Sequence, residues 1–210
     1  PTINALAKKA KKNKINIICG SIFEKAKKGK AYNASVTLNS KGEILQIYRK
    51  IHLFDVDVAG EVSFKESQGV AAGDEIVTAE IEGIIAGIAI CYDLRFPELF
   101  RALAQRGAQV IFMPCAFTAA TGRFHWEALL KARAIENQVF IVAANQFGMH
   151  PNGIKTYGRS MIIDPYGRVL AEAGSDGETV ITSTLDMNLL ENTRKEMPLL
   201  QHRRNDLYGN

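Results

Sequence analysis

Two residues in this sequence have types and settings suited to covalent chemistry. Cys91 ends the apolar run Gly83-Ile-Ile-Ala-Gly-Ile-Ala-Ile90 and opens Cys91-Tyr-Asp-Leu-Arg-Phe-Pro-Glu-Leu-Phe100, so a buried strand is expected to meet a helix at a thiol. At the carboxyl end of a strand, beside a helix N-terminus, backbone N–H groups and the helix dipole favour negative charge. A thiolate and an oxyanion would share that field. The plain alternative is a small buried hydrophobe. Lys50, in Tyr48-Arg-Lys-Ile-His-Leu-Phe-Asp55, closes another strand. An ammonium beside a thiol lowers its pKa and can hydrogen-bond the oxyanion of a tetrahedral intermediate. Its plain alternative is a solvated strand end.

The chain that must hold these groups has 210 residues, 47% of them hydrophobic and 23% charged, enough to bury a sizeable core in one globular domain, 1–210. The net charge of +4 comes largely from basic runs at Lys8–Lys14 and Lys25–Lys30, which read as solvated faces. No aromatic-interleaved basic stripe accompanies them, so no nucleic-acid partner is expected. Cys19, Cys91 and Cys115 are widely spaced, without a paired motif or clustered histidines, so neither a disulfide framework nor a metal site is expected. No apolar stretch is long enough for a membrane span, so no membrane partner is expected either, and the cysteine usage fits a reducing, cytoplasmic setting.

The apolar periodicity predicts a helix over 2–13, strands over 15–22, 34–38 and 43–48, and a turn at Asn39–Gly42. Two strands joined at Glu82-Gly83 are expected over 76–90, then a helix over 97–105 ending at Gly107 and a strand over 110–113. A helix over 125–137, a strand over 139–143, a hairpin over 158–173 turning at Asp164–Gly167, and a strand over 180–185 complete the reading. Mixed strands, helices and hairpins argue for a layered α/β (α+β) sandwich rather than a simple parallel sheet. Both glycine-rich phosphate-binding signatures are absent.

Several segments, in order, resemble the carbon–nitrogen hydrolase (nitrilase) superfamily: Tyr48–Asp55, Phe64-Lys-Glu-Ser67, Gly87–Glu98, and His125-Trp-Glu-Ala-Leu-Leu-Lys-Ala-Arg-Ala-Ile-Glu-Asn137. The likeness runs along the whole chain to Gln201–Gly209, which is similar to the branch of small amidases that includes omega-amidases and deaminated-glutathione amidases. It implies a four-layer αββα sandwich carrying a Glu–Lys–Cys site. By motif match Cys91 is the nucleophile and Lys50 the oxyanion-stabilising lysine, with the backbone N–H of Tyr92 as a second oxyanion donor. Glu66 is an auxiliary carboxylate positioning Lys50, or else an exposed loop acid. Pro114–Gly122 forms a pocket wall with Phe117 and Thr118 as lining residues. Arg95 and Arg123 are the candidate contacts for an anionic substrate, with a structural ion pair as the alternative for Arg95. Cys115 is read as packing behind the site, His125 as structural, Glu127, Arg133 and Glu136 as ion pairs, and Asn145 as a possible polar group of the pocket.

The resemblance also implies cysteine-dependent hydrolysis of a small carboxylate-bearing amide through a thioester, with no metal or organic cofactor, in a homodimer. One departure stands out. The family's general-base glutamate precedes the segment that Pro1–Lys8 resembles, so the opening strand, the helix and the base are expected to be missing from these 210 residues, and the chain as written is expected to be inactive. Glu24 follows the next strand and is not assigned that role. The rival reading is a truncated relative acting as a binding or assembly module.

Overall fold

The computed structural model describes residues 1–27, 29–58, 62–151 and 153–208, and the side chains of Val58 and Val62 are left aside. Lys28 of the second basic run and Gly209 of the C-terminal motif lie outside the described residues.

In chain order the elements are α1 (Thr2–Asn13), β1 (Ile17–Lys25), β2 (Ala31–Leu38), β3 (Ile44–Arg49), β4 (Asp55–Val58), β5 (Val62–Lys65), β6 (Thr78–Ile81), β7 (Ile84–Ile88), α2 (Pro97–Gln105), β8 (Val110–Cys115), α3 (Ala119–Asn137), β9 (Phe140–Asn145), β10 (Phe147–Met149), β11 (Lys155–Tyr157), β12 (Met161–Ile163), β13 (Val169–Glu172), α4 (Met187–Glu196), α5 (Leu199–His202) and α6 (Asn205–Tyr208). Two 3₁₀ turns, Glu66–Gln68 and Cys91–Arg95, fall between them.

Two sheets form the middle of the molecule. One has the antiparallel order β1-β2-β3; the other has the order β13-β12-β9-β8-β7-β6, with β7, β8 and β9 parallel. Strand alternation divides the apolar residues among the layers. Cys19, Val36 and Leu38 pack under Ala10, Leu6 and Ile3 of α1, whereas Tyr48 and Ile18 face Ile88, Ile90 and Phe112 between the sheets. On the far side Ile111, Met113, Ile141 and Ala143 meet Leu99, Leu103, Trp126 and Leu130 of α2 and α3. The order of layers is therefore α1, three strands, six strands, α2 with α3: the expected αββα arrangement.

Local signals account for several boundaries. Glu82 and Gly83 both have positive φ (52° and 81°), the two-residue geometry that joins β6 to β7 with the right twist. α2 begins at Pro97, whose missing N–H costs nothing in a first turn, and Gly107 (φ 88°) follows its end. Two expectations need correction. α3 starts at Ala119, six residues before His125, so His125 lies inside the helix. Residues 180–185 form no strand; no ladder pairs with them, and Val180 is 87% exposed. Two short two-stranded ribbons, β4-β5 and β10-β11, add to the expected elements.

Candidate active site

The carboxyl ends of parallel strands in an open α/β sheet face outward where connections diverge, and ligand sites collect there. Here the ends of β7, β8 and β9, together with the end of β3 and the β4-β5 ribbon, enclose a cavity of about 620 Å³. Cys91, Lys50, Glu66, Tyr92, Arg95, Phe117 and Thr118 all line it, as do Asn33, Phe54, Cys115, Thr121, Asn145 and His150.

Lys50 directly follows β3, and its N–H donates to Asn33 O at 2.8 Å, extending the ladder by one residue. Its side chain is only 2% exposed, so its charge requires a partner. That partner is Glu66, whose Oε2 accepts from Lys50 Nζ and also from Phe54 N at 2.7 Å, while Oε1 accepts from Asn33 Nδ2 at 3.1 Å. Glu66 is thus a buried, fully engaged carboxylate rather than an exposed loop acid.

Cys91 opens the 3₁₀ turn with φ 47°, a left-handed conformation that costs a residue with a Cβ roughly 1–2 kcal/mol. Asp93 holds this turn in place. It is completely buried and accepts from Ile90 N (2.8 Å), Tyr48 Oη (2.6 Å), His52 N (3.2 Å) and His52 Nδ1 (2.7 Å). His52 in turn stacks flat on Phe96, with 3.7 Å between centroids. Tyr92 stands edge-on to Phe54 and Phe96, fixing its ring at the cavity wall.

The expectation that a full helix stabilises the thiolate is corrected by the structure. The element at Cys91 is a single 3₁₀ turn, and α2 begins only at Pro97. The Cys91 thiol is nevertheless held below its ordinary range: a hydrogen bond from the Cys115 thiol is the largest cause, and the Lys50 charge and the Ala116 N–H add to it against burial and the Glu66 charge. Cys115 moves the opposite way, raised by burial and by its neighbour's sulfur. Cys115 Sγ also lies 3.6 Å from Met113 O, so its single proton can serve either acceptor.

Arg95 reaches across the mouth. Nη2 donates to Thr121 Oγ1 at 3.0 Å, Nη1 contacts His125 Nδ1 at 3.1 Å, and the guanidinium lies over the Phe117 ring. Among the described residues its hydrogen bonds and ring contacts include no carboxylate, and burial lowers its pKa. Arg123 is exposed, stacked on Phe124, and outside the cavity lining. Asn145 serves structure: Oδ1 accepts from Phe117 N at 2.8 Å and Nδ2 donates to Gly158 O at 2.7 Å, tying the β8 wall to the link between β11 and β12. Glu127 pairs with Lys131 and Arg159, and Arg133 with Glu136. Glu24 is bound by Arg49 through two contacts of 2.6 and 2.8 Å, away from the cavity.

Sequence reasoning missed Asp93, Asn33, Tyr48 and His150. Asp93 carried a signal, since a short acid inside an apolar stretch, three residues past a strand end, can accept the backbone N–H that starts a turn. His150, whose Nε2 meets Thr156 Oγ1 at 3.0 Å, had none, because the ribbon that brings it to the cavity was not anticipated.

Similarity to known proteins agrees with this geometry. Deaminated glutathione amidase of Homo sapiens is 46% identical over 183 residues, covering 86% of this chain and 55% of that protein. Omega-amidase NIT2 of Mus musculus is 40% identical, covering 97% of this chain and 73% of its own. The crystal structure of the C. elegans NitFhit protein superposes with a TM-score of 0.89 at 36% identity, covering 98% of this chain and 50% of that one. The chain spans about half the length of the deaminated glutathione amidases it matches. The carbon-nitrogen hydrolase family model matches residues 1–195. With a cysteine, a lysine and a carboxylate gathered on one cavity wall and that match along nearly its whole length, the chain belongs to the carbon–nitrogen hydrolase family.

Proposed function

We propose that the protein hydrolyses a small carboxylate-bearing amide, of the omega-amidase or deaminated-glutathione amidase type, by acyl transfer through Cys91. The observation that carries this reading is the convergence of Cys91, held toward its thiolate, with the buried Lys50–Glu66 pair on one cavity wall. In the proposed sequence the thiolate adds to the amide carbonyl and Lys50 and the Tyr92 N–H hold the oxyanion. The intermediate then collapses, the C–N bond breaks as the nitrogen takes the proton that the Cys91 thiol gave up and leaves as ammonia, and water cleaves the thioester to the acid and the free thiol. These steps use no metal or organic cofactor. Arg95, lining the cavity with no carboxylate among its contacts, is the group proposed to meet the distal carboxylate, with Phe117 and Thr118 shaping the channel to it.

Glu66 is the only carboxylate on the cavity wall among the described residues, and three donors occupy its oxygens. A further carboxylate is therefore part of the proposed mechanism, as the base that activates the hydrolytic water. The 210-residue chain alone is expected to acylate at Cys91 and to release product slowly. We propose, too, that the protein works as a homodimer in a reducing, cytoplasmic setting; three free cysteines support the setting, and sedimentation velocity tests the assembly.

The test compares an ω-amide of a dicarboxylic acid with the same-length amide lacking the distal carboxylate. Turnover of the first, loss of both turnover and mass-detected acyl-enzyme in Cys91→Ala, and a rise in KM of about ten- to a hundredfold in Arg95→Gln are expected. Equal handling of the two amides by the parent protein would overturn the substrate class. An acyl adduct at any other residue would overturn the nucleophile.

A further inference from the structure

Cys115 is a buried thiol that the proposed hydrolysis does not use. The parallel register of β7 and β8 pairs Ala86 with Val110, Gly87 with Ile111 and Ile88 with Phe112, and the ladder continues with Ala89 N donating to Phe112 O at 3.1 Å. Cys91 lies three residues past the end of β7, where its thiol comes within hydrogen-bonding reach of the Cys115 thiol at the end of β8. Neighbouring strands run about 4.8 Å apart, and a disulfide spans Cα separations of about 4.4–6.8 Å. Both residues line the same cavity, and Cys91 packs against the core cluster that contains Cys115. Cys19 belongs to a different layer, under α1, and has neither thiol within its cluster.

We propose that Cys91 and Cys115 form a reversible disulfide when the protein meets a peroxide, making the pair an oxidative modification site. The Cys91 thiolate attacks the peroxide, breaking the O–O bond to give a sulfenic acid and releasing hydroxide or alkoxide. Cys115 then attacks the Cys91 sulfur: the S–S bond forms, the S–O bond breaks, and the leaving hydroxide takes the Cys115 proton as water. Two equivalents of an external thiol reverse the bond and are themselves oxidised to a disulfide.

The electrostatics of the pair suit this order of events. Cys91 is the more acidic thiol and reacts first. The neighbouring Cys91 sulfur is one cause of the raised Cys115 pKa, and its conversion to an uncharged sulfenic acid removes that charge. Cys115 thus becomes easier to deprotonate at the moment when it is needed. The disulfide also halts oxidation at a reversible stage, ahead of sulfinic acid at the nucleophile.

The test needs no amide substrate. The full chain, free of reductant, is treated with a small excess of hydrogen peroxide, blocked with iodoacetamide under denaturing conditions and digested without reduction. Expected are a fall from three free thiols per chain to one, an intact-mass loss of two hydrogens, a cross-linked peptide containing Cys91 and Cys115, and recovery of all three thiols with dithiothreitol. Cys19→Ser is expected to retain the cross-link. Cys115→Ser, and Cys115→Ala as a second variant differing in polarity, are expected to accumulate sulfinic acid at Cys91 that dithiothreitol does not reverse. Sulfinic acid at Cys91 of the parent protein with Cys115 still free, or a cross-link through Cys19, would overturn the proposal.

Discussion

Tyr48 Oη donates to Asp93 Oδ2 at 2.6 Å, joining the strand end that carries Lys50 to the turn that carries Cys91. Both residues are fully buried, and burial, with the Asp93 charge adding to it, pushes the Tyr48 phenol far above its ordinary range, so it keeps its proton for Asp93 while its oxygen accepts from Ile51 N at 3.4 Å. The two catalytic candidates come from different sheets. This bond spans the gap between them beneath the cavity.

Removing that donor tests the tie. Tyr48→Phe leaves Asp93 with Ile90 N and both His52 contacts, and the lost hydrogen bond to a charged group is expected to cost about 1.5–3 kcal/mol in urea unfolding. Unchanged stability would show that the bond carries nothing.

Glu66 is predicted to matter for the charge that it holds as well as for its shape. Glu66→Ala strands Lys50 in a buried site and is expected to cost about 3–5 kcal/mol. Glu66→Gln retains an acceptor for Phe54 N and is expected to lose less. Thermal unfolding of the two variants side by side checks the order.

The Cys91 thiol should be alkylated by iodoacetamide with a midpoint below that of an unperturbed thiol. Cys115→Ala removes the largest contribution and should move the midpoint up; Lys50→Gln should move it up as well. The sign for stability follows. Because the folded pKa is depressed, the thiolate contribution is present above the unfolded thiol's pKa and is lost as pH falls through the folded value. Cys115, with a raised folded pKa, has the opposite dependence: its contribution is full below the unfolded pKa and is lost as pH rises.

Gly122 lies where α3 meets β11, and a Cβ there would sit 2.6 Å from Tyr157 Cγ. Alanine favours a helix by about 1 kcal/mol over glycine, but the clash is with atoms close to the backbone and displaces the ribbon that brings His150 and Thr156 to the cavity. Gly122→Ala is therefore expected to lower Tm and to speed hydrogen exchange at the β10-β11 amides. A rise in Tm would mean that the ribbon moves without cost.

Much of the fold was legible along the chain because its signals are local. The period of α1, the Asn39–Gly42 turn, the Glu82-Gly83 turn and Pro97 at the start of α2 each act within a few residues, and the strand alternation around Cys19, Val36 and Tyr48 already divides the residues into two faces. A layered sandwich follows from those patterns; its αββα order was what the motif resemblance implied, and the structure has it. The absent strand at 180–185 was misread for the complementary reason: an apolar-polar alternation is only a strand when a neighbour supplies hydrogen bonds.

At the site, the sequence by itself determined that a cysteine and a lysine sit at strand ends, and the motif resemblance added Glu66, Tyr92, Arg95, Phe117 and Thr118. What only the tertiary structure decided was which groups share an environment. Lys50 and Glu66 are separated by the β4-β5 ribbon and become one buried pair. Cys91 and Cys115 become neighbours only because two parallel strands align, and that contact, more than any helix, sets the Cys91 thiol. Electrostatic energies depend on separation in space and on desolvation, and the chain reveals neither until strands from distant segments have paired.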